Sequence, residues 1–178
     1  MKRGSGKNKG SGFERDIAKK LSLWVSDGER TDIFWRSAGS GSKATVTGEE
    51  TQSGDICAVH ELGRPFVKKF FTEIKFYRNL NLPGLIFGQL KRSGTTSGVT
   101  DFWIKTREQA EKFNKLPLLI MKQNNLPILL GVSAETLYQF KAAWGNIVVG
   151  LARFPQYNLV VLDFDSLLKN CDGAISWK

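Results

Sequence analysis

Apolar residues recur at helical spacing near the start of the chain, at Phe13, Ile17, Leu21 and 23–25. This periodicity predicts a helix over residues 12–26. The pair Asp27-Gly28 that follows is typical of a helix end. The next apolar run, residues 33–36, predicts a short strand. The first two elements are therefore a helix and a strand.

The middle of the chain is predicted to hold a β-hairpin. Residues 55–59 and 66–76 both have strand-like composition, with apolar and polar residues alternating in the second run. Residues 63–65, Gly-Arg-Pro, predict the turn between these strands. The flanking stretches 37–53 and 79–99 are rich in glycine and small polar residues, which predicts long loops.

The last part of the chain again alternates between helical and strand patterns. The predicted helices are 106–115, a helix from Ser133 to about residue 144, and a last turn at 166–170. Ser133 is placed to cap the second of these helices. The predicted strands are 117–121, 126–132, 147–152 and 159–164. This order predicts a mixed α/β domain, with a mixed central sheet flanked by helices.

Length and composition limit the class of protein. A chain of 178 residues fits one domain with a substantial core. No apolar run approaches the roughly 20 residues that cross a bilayer, and no apolar segment follows the basic N-terminus as in a signal peptide. Cys57 and Cys171 lack disulfide-framework or metal-ligand spacing, which predicts reduced thiols. We therefore expect a cytoplasmic protein without a membrane partner.

The positive charge of the chain is concentrated in two segments. The formal net charge is +9, from 26 basic and 17 acidic residues. Residues 1–12 contain four bases and no acid, and residues 64–92 contain seven bases against the single acid Glu73. Because each phosphate contact releases condensed counterions, this distribution favours a nucleic-acid partner. The alternative is a basic surface that only keeps the protein soluble.

The candidate chemistry lies in Asp55 and in the sequence Glu73-Ile74-Lys75. Side chains alternate along a strand, so Glu73 and Lys75 are predicted to share one face. Pairing of 55–59 with 71–76 would bring Asp55 beside Glu73. Two adjacent carboxylates repel each other unless a cation lies between them. Oxygen ligands suit Mg²⁺ or Mn²⁺.

The role of Lys75 follows from such an ion. A lysine beside it can orient the attacking water and balance the charge that develops on a phosphodiester during hydrolysis. Taken alone, Glu-x-Lys on a strand is usually a solvated face, and Gly-Asp is common in turns. Their combination in a basic protein favours a metal-dependent nuclease.

Asp55 with Glu73-Ile74-Lys75 resembles the motif of the PD-(D/E)xK nuclease superfamily. Two further segments, Lys-Gly-Ser-Gly-Phe-Glu-Arg-Asp at 9–16 and Arg-Ser-Ala-Gly-Ser at 36–40, resemble the archaeal-type Holliday-junction resolvases of that superfamily. The resemblance covers roughly residues 9–132. It implies a restriction-endonuclease-like core and a homodimer that makes paired nicks in branched, four-way DNA. It also implies Mg²⁺, with Mn²⁺ as a substitute, and no small-molecule cofactor.

The resemblance assigns roles to individual residues. The implied metal ligands are Glu14, Asp55, Glu73 and the Ile74 carbonyl. Lys75 would serve the nucleophilic water, and Arg36 and Ser37 would contact the scissile or a neighbouring phosphate. The implied DNA contacts are Lys7, Lys9, Ser11, Arg15, Arg36 and Ser40. Arg78 is a further candidate, because it follows Phe76-Tyr77 and such a group suits an unpaired base, although the two rings would equally serve the core.

The chain also departs from the resolvase pattern. The loop 39–54 is longer, Ser53-Gly54 stands where a proline is usual, and residues 133–178 are additional. We therefore expect a flexible basic tail at 1–12, a nuclease core at 13–132 and a C-terminal α/β extension packed on the same domain. Two alternatives stay open: another PD-(D/E)xK nuclease acting on duplex or flap DNA, and a non-catalytic DNA-binding module. A small resolvase would suit a virus, acting in the host cell, or an archaeon.

Overall fold

The computed structural model describes residues 5–37, 54–78, 80, 98–137, 152–171 and 173. Its helices are α1 (Ser5–Val25), α2 (Arg64–Lys69), α3 (Val99–Lys112) and α4 (Phe164–Asn170). Its strands are β1 (Phe34–Arg36), β2 (Ile56–Ala58), β3 (Phe70–Tyr77), β4 (Leu116–Gln123), β5 (Leu129–Val132), β6 (Ala152–Phe154) and β7 (Leu159–Asp163). Short 3₁₀ helices cover Glu61–Gly63 and Pro155–Tyr157. None of the described helices is long and apolar enough to cross a membrane.

Five strands form a mixed sheet in the order β3-β4-β5-β7-β6. The strands β3 and β4 are parallel, as expected when a helix such as α3 connects them, and the other neighbours are antiparallel. One face of the sheet packs against α1 and α4, and the other packs against α3. The predicted fold class, a mixed α/β domain with helices flanking a central sheet, is confirmed. The strands β6 and β7, from the predicted extension, belong to this same sheet.

The helix α1 buries the predicted apolar face, with Phe13, Ile17, Leu21 and Val25 in the core. The helix begins at Ser5, well before the predicted start at residue 12, and so includes residues 5–12, which were predicted as part of a flexible tail. Apolar periodicity detects only the part of a helix that packs against something, and the first turns of α1 continue the helix before that contact begins. The rest of the predicted tail, residues 1–4, lies outside the described residues.

The predicted hairpin is wrong. Strand β2 pairs with β1 in a separate antiparallel ribbon, in which Trp35 lies opposite Cys57. Residues 61–69 are helical and lead into β3, which starts only at Phe70. Proline suits the first turn of a helix, and Pro65 lies in the first turn of α2 instead of in a hairpin turn. Gly54, which precedes β2, is instead joined to Thr72 of β3 by an isolated parallel bridge.

Other elements agree with the predictions in kind but differ in extent. Helix α3 starts at Val99, well before the predicted start at residue 106, and the final predicted turn is the helix α4. Ser133 caps the turn that follows it, because its Oγ accepts a hydrogen bond from the Thr136 N–H at 3.1 Å. The predictions for residues 38–53, 81–97, 138–144 and 147–151 lie outside the described residues.

A buried serine attaches β1 to α1. The Ser22 Oγ donates a hydrogen bond to the Ala18 carbonyl at 2.8 Å. It accepts hydrogen bonds from the N–H groups of Ile33 at 3.2 Å and Phe34 at 2.9 Å. These two N–H groups lie at the start of β1, the strand that carries Arg36. Ser22 therefore positions the β1–β2 ribbon on α1.

Replacing this hydroxyl is expected to loosen the ribbon. Ser22→Ala leaves two buried N–H groups without an acceptor and should lower the free energy of unfolding by about 1–3 kcal/mol. Urea denaturation measures the loss. The control is Ser166→Ala on α4, where the backbone N–H and carbonyl of Ser166 make hydrogen bonds that alanine keeps. Equal stability of Ser22→Ala and wild type would contradict this role of the hydroxyl.

Candidate active site

Backbone hydrogen bonds fix Asp55 at the edge of β3. The Asp55 N–H donates to the Thr72 carbonyl at 2.7 Å, and the Asp55 carbonyl accepts from the Ser37 N–H at 2.9 Å. The side chain is also held, because Oδ2 accepts the Ile74 N–H at 2.7 Å. Asp55 is only 6% exposed. The main chains of β3 and of Ser37, the residue after β1, therefore fix the position of Asp55 and its carboxylate.

Gly54 permits this close approach. Its φ is +86°, and a Cβ added there would lie 2.5 Å from the Thr72 carbonyl oxygen and 2.9 Å from the Thr72 nitrogen. Such contacts and a positive φ are both unfavourable for any residue that has a Cβ. The sequence Gly-Asp, which is common in turns, is here required by the packing of one backbone against another.

Gly54→Ala is expected to displace Asp55. We expect a loss of about 1–3 kcal/mol in the free energy of unfolding from strain, and a fall in DNA cleavage of about 10²-fold, since shifts of about 1 Å in reacting groups have effects of that size. Thermal unfolding and single-turnover cleavage measure the two effects. Gly28→Ala is the matched control, because Gly28 has φ +87° but no atom within 4 Å of an added Cβ. A similar loss of activity in both variants would contradict the role of the close approach.

Glu73 and Lys75 lie two residues apart on β3 and form an ion pair between Nζ and Oε1. Their side chains are 24% and 26% exposed, respectively. The prediction that both lie on a strand and share a face is confirmed, with Ile74 buried in the core between them. The pair faces a partly desolvated space at the edge of the sheet.

The pKa of Glu73 reflects the burial of this carboxyl and the negative charges around it. Burial raises the pKa of this carboxyl above its usual value, and the nearby Asp55 carboxylate raises it further. Lys75 lowers it, and Glu14 adds a smaller increase. Burial alone lowers the pKa of Lys75, but the Glu73 and Asp55 carboxylates raise it above its usual value. Lys75 is therefore a cation at neutral pH.

A second ion pair joins α1 to β1. Glu14 Oε2 accepts a hydrogen bond from Arg36 Nε, and the Glu14 side chain is the more buried of the two. Next to Arg36, Ser37 is buried, and its Oγ has no hydrogen-bond partner among the described residues. A serine hydroxyl in this position can donate a hydrogen bond to a ligand oxygen.

The structure thus brings together the predicted catalytic residues Glu14, Arg36, Ser37, Asp55, Glu73 and Lys75. Glu14 and Arg36 come from α1 and β1, and the ribbon joins them to Asp55. The ribbon itself was missed by the sequence reasoning, although the apolar run at 33–36 and the strand pattern at 55–59 were the signal for it.

The predicted DNA contacts are placed less completely. Arg15 is exposed on α1, and Arg78 is exposed directly after β3. Ser11 is half-buried in α1. Lys7 and Lys9 fall in the first turns of α1, but their side chains are not among those the structure describes, and Ser40 lies outside the described residues. These residues stay predictions as DNA contacts.

The donor set fits a hard divalent cation. Asp55 and Glu73 offer carboxylate oxygens, Ile74 offers a carbonyl, and the repulsion that raises the Glu73 pKa is what a cation would relieve. Within the described ranges, no three acidic, histidine or cysteine side chains are grouped as a complete metal site. Asp55 and Glu73 would hold the ion with the Ile74 carbonyl, and Glu14, which pairs with Arg36 in the structure, stays a predicted ligand.

Comparison with known proteins gives one result. The model of the family described as "Phage putative PDDEXK endonuclease" matches residues 5–174 of the chain. The match includes every described residue of the site and also the sheet strands beyond residue 132. No curated protein and no solved structure matches the chain.

Proposed function

Because this chain belongs to that family of phage PD-(D/E)xK endonucleases, we propose that it is a Mg²⁺-dependent enzyme that cuts branched DNA, with the four-way junction as its substrate. The observation that carries the proposal is the position of Asp55. Its carboxylate is held by β3 beside Glu73 and Lys75, and its carbonyl is bonded to the Ser37 N–H. Asp55 thus connects the part of the site that would hold the metal ion to Ser37 and the neighbouring Arg36, which would bind the phosphate.

Each residue of the site has a part in the hydrolysis. Mg²⁺ between Asp55 and Glu73 would stabilise negative charge on the phosphate and lower the pKa of the attacking water. Lys75 is protonated, so its Nζ acts as a hydrogen-bond donor that orients this water and balances the charge that develops during attack.

Arg36 and Ser37 are suited to the phosphate. The Arg36 guanidinium can donate to two phosphate oxygens at once, a geometry that a lysine lacks. The Ser37 Oγ, buried and without a hydrogen-bond partner in the described part of the chain, supplies a further donor. In the free protein Glu14 holds the Arg36 side chain in place through their ion pair.

Branched DNA as the substrate is supported by charge and resemblance. The net charge of +9 suits a nucleic acid, and segments 9–16 and 36–40 resemble junction resolvases. The test compares a synthetic four-way junction, a flap and a linear duplex of the same sequence under single-turnover conditions. Symmetric paired nicks in the junction alone would support the proposal, and equal cutting of the linear duplex would refute it.

A second candidate is a nuclease for duplex or flap DNA. It is favoured by the family match, which covers phage endonucleases and extends through the sheet strands beyond residue 132, where the resemblance to resolvases ends. Preferential cutting of the flap in the same comparison would identify it. A non-catalytic binder is disfavoured, because carboxylates at Asp55 and Glu73 would only repel phosphate in the absence of a cation.

The pH dependence of cleavage should follow Glu73. Since burial and the neighbouring carboxylates raise its pKa, Glu73 takes up a proton at a higher pH than an ordinary glutamate as the pH falls, and the Mg²⁺ site is then lost. The acidic limb of the rate profile should therefore move to lower pH as the Mg²⁺ concentration rises, because ion and proton compete. Single-turnover rates at constant ionic strength measure this. A limb that does not respond to Mg²⁺ would show that Glu73 does not hold the ion.

A further inference from the structure

The face of β3 that is turned towards α3 carries four alternate residues, Phe71, Glu73, Lys75 and Tyr77. The two rings at the ends of this row pack against the α3 side of the sheet. Phe71 stacks on Phe113, the residue after α3, with ring centroids 5.9 Å apart. Tyr77 stacks on Phe102 of α3 at 5.0 Å. The ion pair formed by the two central residues therefore lies between two aromatic contacts.

The ring of Tyr77 is fixed by the core. It lies at 28° to the ring of Phe102, which is buried and belongs to the core cluster on the α3 side of the sheet. Tyr77 is itself half-buried and packs against that cluster. Because the ring is occupied in this way, the hydroxyl is the part of Tyr77 that can act on the neighbouring site.

The Tyr77 hydroxyl lies within electrostatic range of Lys75. Residues two apart on a strand are separated by about 7 Å, a distance that the long and flexible lysine side chain can cross. Burial lowers the pKa of Lys75, and the groups that raise it are the carboxylates of Glu73 and Asp55 and the phenol of Tyr77. Tyr77 is thus among the side chains that act on the ammonium group, and it is not a proposed metal ligand.

A bound divalent ion would change the surroundings of Lys75. In the structure Lys75 Nζ donates a hydrogen bond to Glu73 Oε1, and Glu73 is one of the two carboxylates proposed to hold Mg²⁺. The ion and the ammonium group are both positive and compete for that carboxylate. The Lys75 side chain is only 26% exposed, so the loss of this acceptor is costly unless another polar group replaces it. A tyrosine hydroxyl on the same face of the strand can accept the hydrogen bond.

We propose that Tyr77 is a positioning residue for Lys75, whose Nζ donates a hydrogen bond to the Tyr77 hydroxyl once Glu73 binds the ion. This contact keeps the ammonium group on the α3 side of β3. An ammonium group has three donors, so one can serve Tyr77 while another serves the attacking water. The inference rests on the proposed function, because it gives Tyr77 a part in that same site.

Tyr77→Phe removes the hydroxyl and keeps the ring that stacks on Phe102. Thermal unfolding should be unchanged, whereas single-turnover cleavage at saturating Mg²⁺ should fall about 10-fold, the size expected for one lost hydrogen bond to a charged group. DNA affinity at saturating Ca²⁺ should stay the same. The control is Tyr157→Phe at the other edge of the sheet, which keeps the Tyr157 carbonyl that accepts from Trp103 Nε1. Cleavage by Tyr77→Phe at the wild-type rate would overturn the proposal.

A double-mutant cycle separates positioning from a structural effect. If the hydroxyl acts through Lys75, Tyr77→Phe should have no further effect on cleavage when Lys75 is already replaced, as in Lys75→Met. A hydroxyl that only supported the fold would reduce the rate by the same factor in both backgrounds. Additive losses in the double variant would therefore contradict the role of Tyr77, whatever the effect of the single substitution.

Metal binding provides a readout that does not depend on cleavage. Because the hydroxyl accepts the ammonium group when Glu73 binds an ion, Tyr77→Phe should weaken the binding of Ca²⁺ about 10-fold in isothermal titration calorimetry. The same substitution in Lys75→Met should leave the Ca²⁺ affinity unchanged. A protein that shows this loss but cuts no DNA would support the role of Tyr77 and refute the enzymatic proposal. Cleavage of DNA together with equal Ca²⁺ affinities of wild type and Tyr77→Phe would refute the role of Tyr77 alone.

Discussion

Asp55→Asn is expected to reduce DNA cleavage by at least about 10²–10³-fold, the usual cost of removing one electrostatic contact to a transition state. Asparagine has nearly the same shape and can still accept the Ile74 N–H through its side-chain oxygen. What it removes is the negative charge that would hold Mg²⁺ and that raises the pKa of Glu73. DNA binding should be unchanged or tighter, because one charge that repels phosphate is gone. Glu73→Gln should behave in the same way.

The control for this experiment is Asp165→Asn. Asp165 is an exposed acid on α4 that pairs with Lys20, so the same chemical change is made away from the site. Single-turnover cleavage with Mg²⁺ and gel-shift binding with Ca²⁺ separate chemistry from affinity. If Asp55→Asn or Glu73→Gln cuts at the wild-type rate, the assignment of the active site is wrong.

Lys75→Met is expected to lower cleavage by a similar factor, about 10²–10³-fold, because it removes the donor to the attacking water while keeping the length of the side chain. It should also change the pH profile. Lys75 lowers the pKa of Glu73, so its removal lets that pKa rise further above the usual value for glutamate. The acidic limb of the pH–rate profile, measured on the activity that remains, should therefore move to higher pH.

Lys105→Met serves as the control for Lys75→Met, since Lys105 is an exposed cation on α3. It removes the same net charge and should leave both the rate and the pH profile unchanged. The pH dependence distinguishes a role in the site from a structural one, because a variant that is only less stable would lose activity without a shift of the limb. A wild-type rate and profile in Lys75→Met would contradict the assigned role.

Short-range features could be predicted from the sequence. The apolar face of α1, the alternation of Glu73 and Lys75 on a strand and the Ser133 cap all depend on residues a few positions apart. The same reasoning failed at residues 64–69, because Phe66 and Val67 are apolar enough for a strand. They are buried in a helix instead, where Phe66 packs edge-on against Phe34. That contact is with a residue far away in the sequence, which no local pattern contains.

The candidate site shows the same difference between short-range features, which could be predicted, and long-range contacts, which could not. Charge repulsion and strand geometry were sufficient to select Asp55, Glu73 and Lys75 as a group. Glu14 and Arg36 were selected only by resemblance, since their ion pair joins a helix to a strand 22 positions away in the sequence. The route by which Asp55 reaches Glu73 was predicted incorrectly, as a hairpin. The exposure of Trp35 was not predictable, because an isolated apolar run does not show which of its faces meets the core.

Asp55 also protects the sheet. Strand β3 lies at the edge of the five-stranded sheet, and an edge strand offers unpaired N–H and carbonyl groups to any other extended chain. On this edge the Thr72 carbonyl accepts the Asp55 N–H, and the Ile74 N–H donates to the Asp55 carboxylate. The residue proposed for the chemistry thus also occupies the groups at which aggregation through strand addition would begin. Resistance to aggregation and the proposed activity therefore depend on one residue, and an asparagine there can keep the first while it removes the second.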